Sequence, residues 1–148
     1  MKLRSLLLAA GLASLSVLGL AGTAQAADKI PAGCTGARQL GSTAYVTNGA
    51  GANIASVKQY YGVCDGTPKN WSYVYVWQSF FDTGKSYHVK AGIITANSGG
   101  QALGFRSAAR PTREIVSVPV ATTGVCTRAW GGLDLSTGTR TAQTAWDC

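Results

Sequence analysis

His88 and Glu114 are the only histidine and the only glutamate in the chain of 148 residues. An imidazole acid, a carboxylate base and an arginine to hold phosphate are one set of groups that can cleave a phosphodiester, as in small secreted ribonucleases. Arg106, Arg110 and Arg113 stand closest to Glu114 in sequence. No motif ties these groups together. His88 alternates with Ser86 and Lys90 on the polar side of its segment, and no serine sits in a G-x-S-x-G turn, so His88 reads as a solvated residue. Metal chemistry is no better provided for. Cys34, Cys64, Cys126 and Cys148 form no C-x-x-C pair and have no histidine beside them, which is not zinc-ligand spacing. The expectation is no catalytic residue, no metal and no cofactor.

Binding chemistry has more material. In Trp71-Ser72-Tyr73-Val74-Tyr75-Val76-Trp77-Gln78-Ser79-Phe80-Phe81, a period of two puts Trp71, Tyr73, Tyr75 and Trp77 on one face and Val74, Val76 and Phe80 on the other. Both faces are apolar. The expectation is a central strand with its aromatic side in the core. The alternative is an exposed ladder for stacking on sugar rings, whose C–H groups lie flat on a π-face while Asn70 and Gln78 meet the hydroxyls. Arg106, Arg110 and Arg113 fall within eight positions around Ala109-Arg110-Pro111. They read as a solvated basic loop, with a phosphate-bearing wall polymer as the alternative partner. Residues 27–148 hold 11 basic and 6 acidic side chains; a net charge of +5 is modest, and no specific nucleic acid is expected.

Compartment follows from the first 26 residues. Lys2 and Arg4 precede an apolar run, Leu6 to Leu20, and Ala24-Gln25-Ala26 supplies small residues for cleavage, the layout of a secretory signal peptide. Residues 27–148 then form one secreted domain without a transmembrane segment. All four cysteines fall in that part, and export delivers them to an oxidising compartment. Two disulfides are expected. Three pairings are open to four cysteines. Cys34 with Cys64 and Cys126 with Cys148 is the preferred one, because each bond joins neighbouring segments and the second ties down the last residue.

The elements that must carry these groups read as strands. The β-branched and aromatic runs are 43–47, 53–63, 71–81, 86–96, 101–107, 114–120, 125–130 and 139–146. Turns fall at Asn48-Gly49, Asp65-Gly66, Thr83-Gly84, Ser98-Gly99-Gly100 and Gly131-Gly132. Seven or eight strands so punctuated predict an all-β fold, an antiparallel β-sandwich or barrel. Alternation assigns Tyr87, Val89, Ala91 and Ile93 to the core, and likewise Val116, Val118 and Val120.

Near the C-terminus, Cys126-Thr127-Arg128-Ala129-Trp130-Gly131-Gly132, followed by a last Cys148, resembles the C-x-x-W-G-G ending of the spore-associated protein A group, small secreted proteins of actinomycetes. This chain has one more residue before the tryptophan. The resemblance implies association with spores or the envelope; it implies no mechanism and no catalytic residue. Three functions are therefore expected, in order. The first is a secreted, non-enzymatic extracellular, cell-envelope or spore-associated protein. The second is a module that binds carbohydrate or a cell-wall polysaccharide through the aromatic strand, and the third a small secreted enzyme or enzyme inhibitor.

Overall fold

The computed structural model describes residues 29–148. The segment 1–26 that reads as an export signal lies outside the described residues. Nine strands and one helical turn follow in chain order: β1 (Cys34–Thr47), β2 (Asn53–Cys64), β3 (Thr67–Val76), α1 (Gln78–Phe81), β4 (Tyr87–Thr95), β5 (Leu103–Ala109), β6 (Glu114–Val116), β7 (Val120–Ala121), β8 (Thr127–Leu135) and β9 (Gly138–Gln143). They build two antiparallel sheets. The first runs β1-β2-β3-β6, with β7 also paired to β3; the second runs β5-β4-β8-β9. Among the described residues no helix is long and apolar enough to cross a membrane.

Turn chemistry sets the hairpins. Asp65 and Gly66 both have positive φ, 51° and 76°, the two-residue connection whose twist suits a β2–β3 hairpin. Beside this turn Cys34 lies opposite Cys64 in the β1–β2 register, and the two are bonded. Cys126 is bonded to Cys148, and Asp147 pairs with Thr127 through reciprocal backbone hydrogen bonds of 2.8 Å. That bond and bridge fasten the last segment to β8.

Val46, Val57, Val74 and Val76 of the first sheet meet Val89, Ala91, Ile93 and Leu133 of the second in one buried cluster. Gly131 is what lets the sheets approach here. A Cβ at that position would collide with Val74 Cγ2 and stand 2.9 Å from Val57 Cγ2, inside van der Waals contact. The Trp-Gly-Gly run thus has a packing role at its central residue. Away from the valines the interior turns polar. Gln59 Nε2 donates to Thr127 Oγ1 (2.7 Å), Asn70 Nδ2 to Thr122 Oγ1 (2.6 Å), and Ser72 Oγ to the Trp130 carbonyl (3.0 Å). Partnered in this way, buried amides and hydroxyls lose little on leaving water.

The turn expected at Gly131-Gly132 does not form, since β8 runs through both glycines to Leu135, and two further segments depart from the alternation read in the sequence. The strand expected over 71–81 stops at Val76; Trp77 begins a helical turn, its carbonyl accepting from the Phe80 and Phe81 amides. The turn still carries Phe80 into the core against Tyr87, ring centres 5.9 Å apart. Segment 114–120 is two short strands rather than one, which raises the number to nine. Its inward residues are Ile115, Ser117 and Val120, the last half-buried against the core cluster, while Val116 is half-buried and Val118 is 43% exposed. The assignment of Val116 and Val118 to a core face is therefore corrected, and that of Val120 stands. Pro119 has no N–H to continue the ladder on β3, and Val118 N–H donates instead to the Gly104 carbonyl of the second sheet (2.8 Å).

Candidate functional site

Register decides which way the aromatic row points. On β3, Asn70, Ser72, Val74 and Val76 reach toward the second sheet, so Trp71, Tyr73 and Tyr75 stand on the outer face of the first. Their cross-strand partners on β2 are Tyr60, Lys58 and Ser56, and Tyr45 of β1 lies opposite Ser56. The outer face is an aromatic and basic surface four strands wide.

One end of that row is covered. Trp71 is fully buried and Tyr73 is 3% exposed. Tyr60 stacks on the Trp71 indole with ring planes 12° apart. Gly62 keeps the slot open, since a Cβ there would stand 2.9 Å from the indole. Across the top runs Lys29, whose carbonyl accepts from Trp71 Nε1–H at 2.8 Å and whose ammonium lies 5.3 Å from the Tyr73 ring centre. The other end is open. Tyr75 and Trp77 are half-buried, and Tyr45, 49% exposed, meets Trp77 edge-on with centres 5.9 Å apart.

Between the two ends lies a cavity of about 340 Å³ whose charged lining is Lys29, Lys58, Arg113 and Glu114, with Tyr73 and Tyr75 as its aromatic walls. Arg113 is fixed from several sides. Its Nη2 donates to Tyr75 Oη (2.6 Å) and to the Val76 carbonyl (3.2 Å), its Nη1 to Gln78 Oε1, and its guanidinium lies 5.0 Å from the Tyr75 ring centre and 5.2 Å from that of Phe81. Tyr73 Oη donates to Glu114 Oε2 at 2.9 Å. Burial, and after it the hydrogen bond to Glu114, pushes the Tyr73 hydroxyl far above the ordinary tyrosine range. Lys58 is held below its ordinary value, first by burial and then by the charge of Lys29. Three cations around one carboxylate leave the cavity positive.

Comparison with protein-family models, with characterised proteins and with solved structures finds no match to this chain.

The three arginines grouped in sequence separate in space. Arg110 joins Arg113 at Phe81, its guanidinium 4.6 Å from the ring centre. Arg106 sits on β5 of the second sheet, opposite Ala91 and exposed. His88 and Glu114 also stand apart. His88 is paired with Ala109 and Asp134 on the second sheet, whereas Glu114 lies opposite Tyr75 on the first, and each faces outward. The structure does not bring that acid and base together. Among the described residues no three His, Cys, Asp or Glu side chains gather as a metal site.

Lys29, Lys58 and Tyr45 belong to this face and were not singled out in the sequence. Tyr45 was within reach, since alternation around the buried Val46 puts it outward. Lys29 and Lys58 carried no signal: each is a lone lysine, and their meeting depends on the chain crossing β3.

A second cleft, of about 410 Å³, opens at the disulfide end between the sheets, with Arg38, Tyr61, Asn70, Thr122 and Asp147 in its lining. The Arg38 guanidinium lies 5.1 Å from the Tyr61 ring centre. Its inner wall is the polar layer described above, in which Asn70 Nδ2 is engaged with Thr122 and Thr127 while the buried Asn70 Oδ1 has no hydrogen-bond partner among the described residues. The outer face presents charge and rings to solvent, and it is the stronger candidate.

Proposed function

We propose that the chain is an exported, non-enzymatic domain of the cell envelope or extracellular space, and that it binds an anionic polysaccharide across the outer face of its first sheet. The observation that carries this reading is the convergence of Lys29, Lys58 and Arg113 beside the open rings of Tyr75, Trp77 and Tyr45. A sugar ring stacks through its C–H groups on an aromatic face, and its carboxylate or phosphate is held by ammonium and guanidinium groups. Neither half of the surface alone fits such a ligand so well. Export is supported by the signal-like residues 1–26 and agrees with two disulfides, which persist in oxidising surroundings. The resemblance of the Cys126 to Gly132 segment to spore-associated secreted proteins points to the same location.

The test is co-sedimentation of the secreted protein with insoluble cell-wall material, with polygalacturonate competing in solution. Binding that weakens as salt rises, and falls about tenfold or more in Trp77→Ala, is the expected result. Retention by uncharged dextran equal to that by polygalacturonate, or binding indifferent to Trp77→Ala and to Lys58→Gln, overturns the reading.

A further inference from the structure

The outer face of the second sheet carries a separate aromatic group drawn from three segments. Trp130 of β8 is paired with Gly92 of β4, and Phe105 of β5 reaches Trp130 from the far side, ring centres 6.2 Å apart. A Cβ at Gly92 would meet Ala102 Cβ at 2.9 Å and the Leu103 carbonyl at 3.2 Å. Two residues along β8, Arg128 lies on the same face, opposite Ile94, with its guanidinium stacked 4.3 Å from the Trp146 ring centre. Phe105 is 49% and Trp146 44% exposed, and both stand among the few large apolar side chains that face water. Arg128 Nε is buried and has no hydrogen-bond partner among the described residues.

These groups repeat the chemistry of the first face without sharing a residue with it. A guanidinium over an indole face is held in place by the cation–π contact. An anionic group beside the indole would engage the guanidinium while a sugar ring covers Trp146 or Phe105. The one ion pair among the described residues, Lys90 with Asp134, lies farther along the same face and neutralises itself. Arg128 is thus the cation beside the rings.

We infer that this face is a second binding surface for an anionic polysaccharide, and that the domain bridges two polymer strands, one on each side of the sandwich. The inference rests on the function proposed above. The two faces point in opposite directions across packed sheets about 10 Å apart, so a short oligomer on one cannot reach the other. Two-sided binding by one rigid domain links polymer strands and raises avidity with no further contact.

Native mass spectrometry and calorimetry with a short oligogalacturonate give the stoichiometry, and turbidity with long polygalacturonate reports bridging. The expected result is two oligomers per wild-type chain and turbid complexes with the polymer. A Phe105→Ala, Trp146→Ala double variant should keep its melting temperature, since both side chains are about half exposed. It should bind one oligomer with affinity within about twofold of the first face and give no turbidity. Arg128→Gln, which keeps the stem of the side chain, should lose the second oligomer at raised salt. One oligomer per wild-type chain, removed by Trp77→Ala and untouched by the double variant, overturns the inference and leaves the first face standing. One oligomer removed by the double variant and untouched by Trp77→Ala overturns the bridge and the first face together. No oligomer bound overturns both readings.

Discussion

Trp71 lies within β3 and Trp77 just past its end, and the two differ in what lies above them. Trp71 is sealed by Tyr60 at its side and Lys29 across its edge, with the indole N–H spent on a backbone carbonyl. Trp77 stands where the strand has ended, at the start of a helical turn, and among the described residues it pairs with one ring, that of the half-exposed Tyr45. Alternation assigns a side chain to a face; it does not say whether that face is covered. The same row is therefore buried at one end and half-buried at the other.

The sharpest way to break this contrast is to truncate both rings. Trp71→Ala should cost about 3 to 5 kcal/mol, a large share of the 5 to 15 kcal/mol or so that holds an ordinary domain together, and secretion yield should collapse. Trp77→Ala should leave the thermal midpoint close to that of the wild type. Equal losses in chemical denaturation would place both indoles in the core.

Loss of the Cys126–Cys148 bond comes next in size. It closes a span of 22 residues and anchors the chain's last residue, and Cys126→Ala with Cys148→Ala should cost about 3 kcal/mol. The Asp147–Thr127 bridge should open with it. Hydrogen exchange of the Thr127 and Asp147 amides checks this, and unchanged protection there would show that the bridge holds alone. Gly131→Ala follows at about 1 to 3 kcal/mol, because the new methyl meets Val74 and Val57 between two packed sheets. A urea midpoint equal to wild type would show that the sheets part easily at this point.

The amount legible in the sequence follows the range of each cause. Asp65-Gly66 names its own turn, and Val74 with Val76 names its own face, because the information lies within a few residues. Both disulfides join segments that neighbour each other in sequence order, and their pairing was accessible for that reason. The covering of Trp71 by Lys29 spans 42 residues, and a lone lysine gives no period to read. Segment 114–120 departs for a related reason: its valines alternate, but the Val118 N–H donates to the other sheet, which no local pattern shows. Phe105, Trp130 and Trp146 stand singly in three segments, so only the fold assembles them.

Smaller effects come with pH. Burial and the Glu114 hydrogen bond raise the Tyr73 hydroxyl in the folded protein, and burial raises Tyr60. Each therefore favours the folded state below the ordinary tyrosine range, near 10 or so, and that contribution is lost as pH rises beyond it. Tyr73→Phe should flatten the alkaline fall in denaturation midpoint, and an unchanged alkaline limb would remove Tyr73 as its cause. At the acid end, hydrogen bonds from Lys90 and Thr139 lower the Asp134 carboxyl. Its contribution is present above the ordinary aspartate range and disappears as pH falls through the lowered value. The exposed setting keeps this effect small, and Lys90→Gln should shrink it further in acid titrations of stability.

The most direct measurement follows the indole N–H resonances of the nitrogen-labelled protein during titration with a short oligogalacturonate. The Trp77 resonance should move and saturate, while that of Trp71, buried and bonded to the Lys29 carbonyl, should stay in place. A Trp77 resonance that does not move, whether or not other signals do, would contradict binding on the open end of the aromatic face.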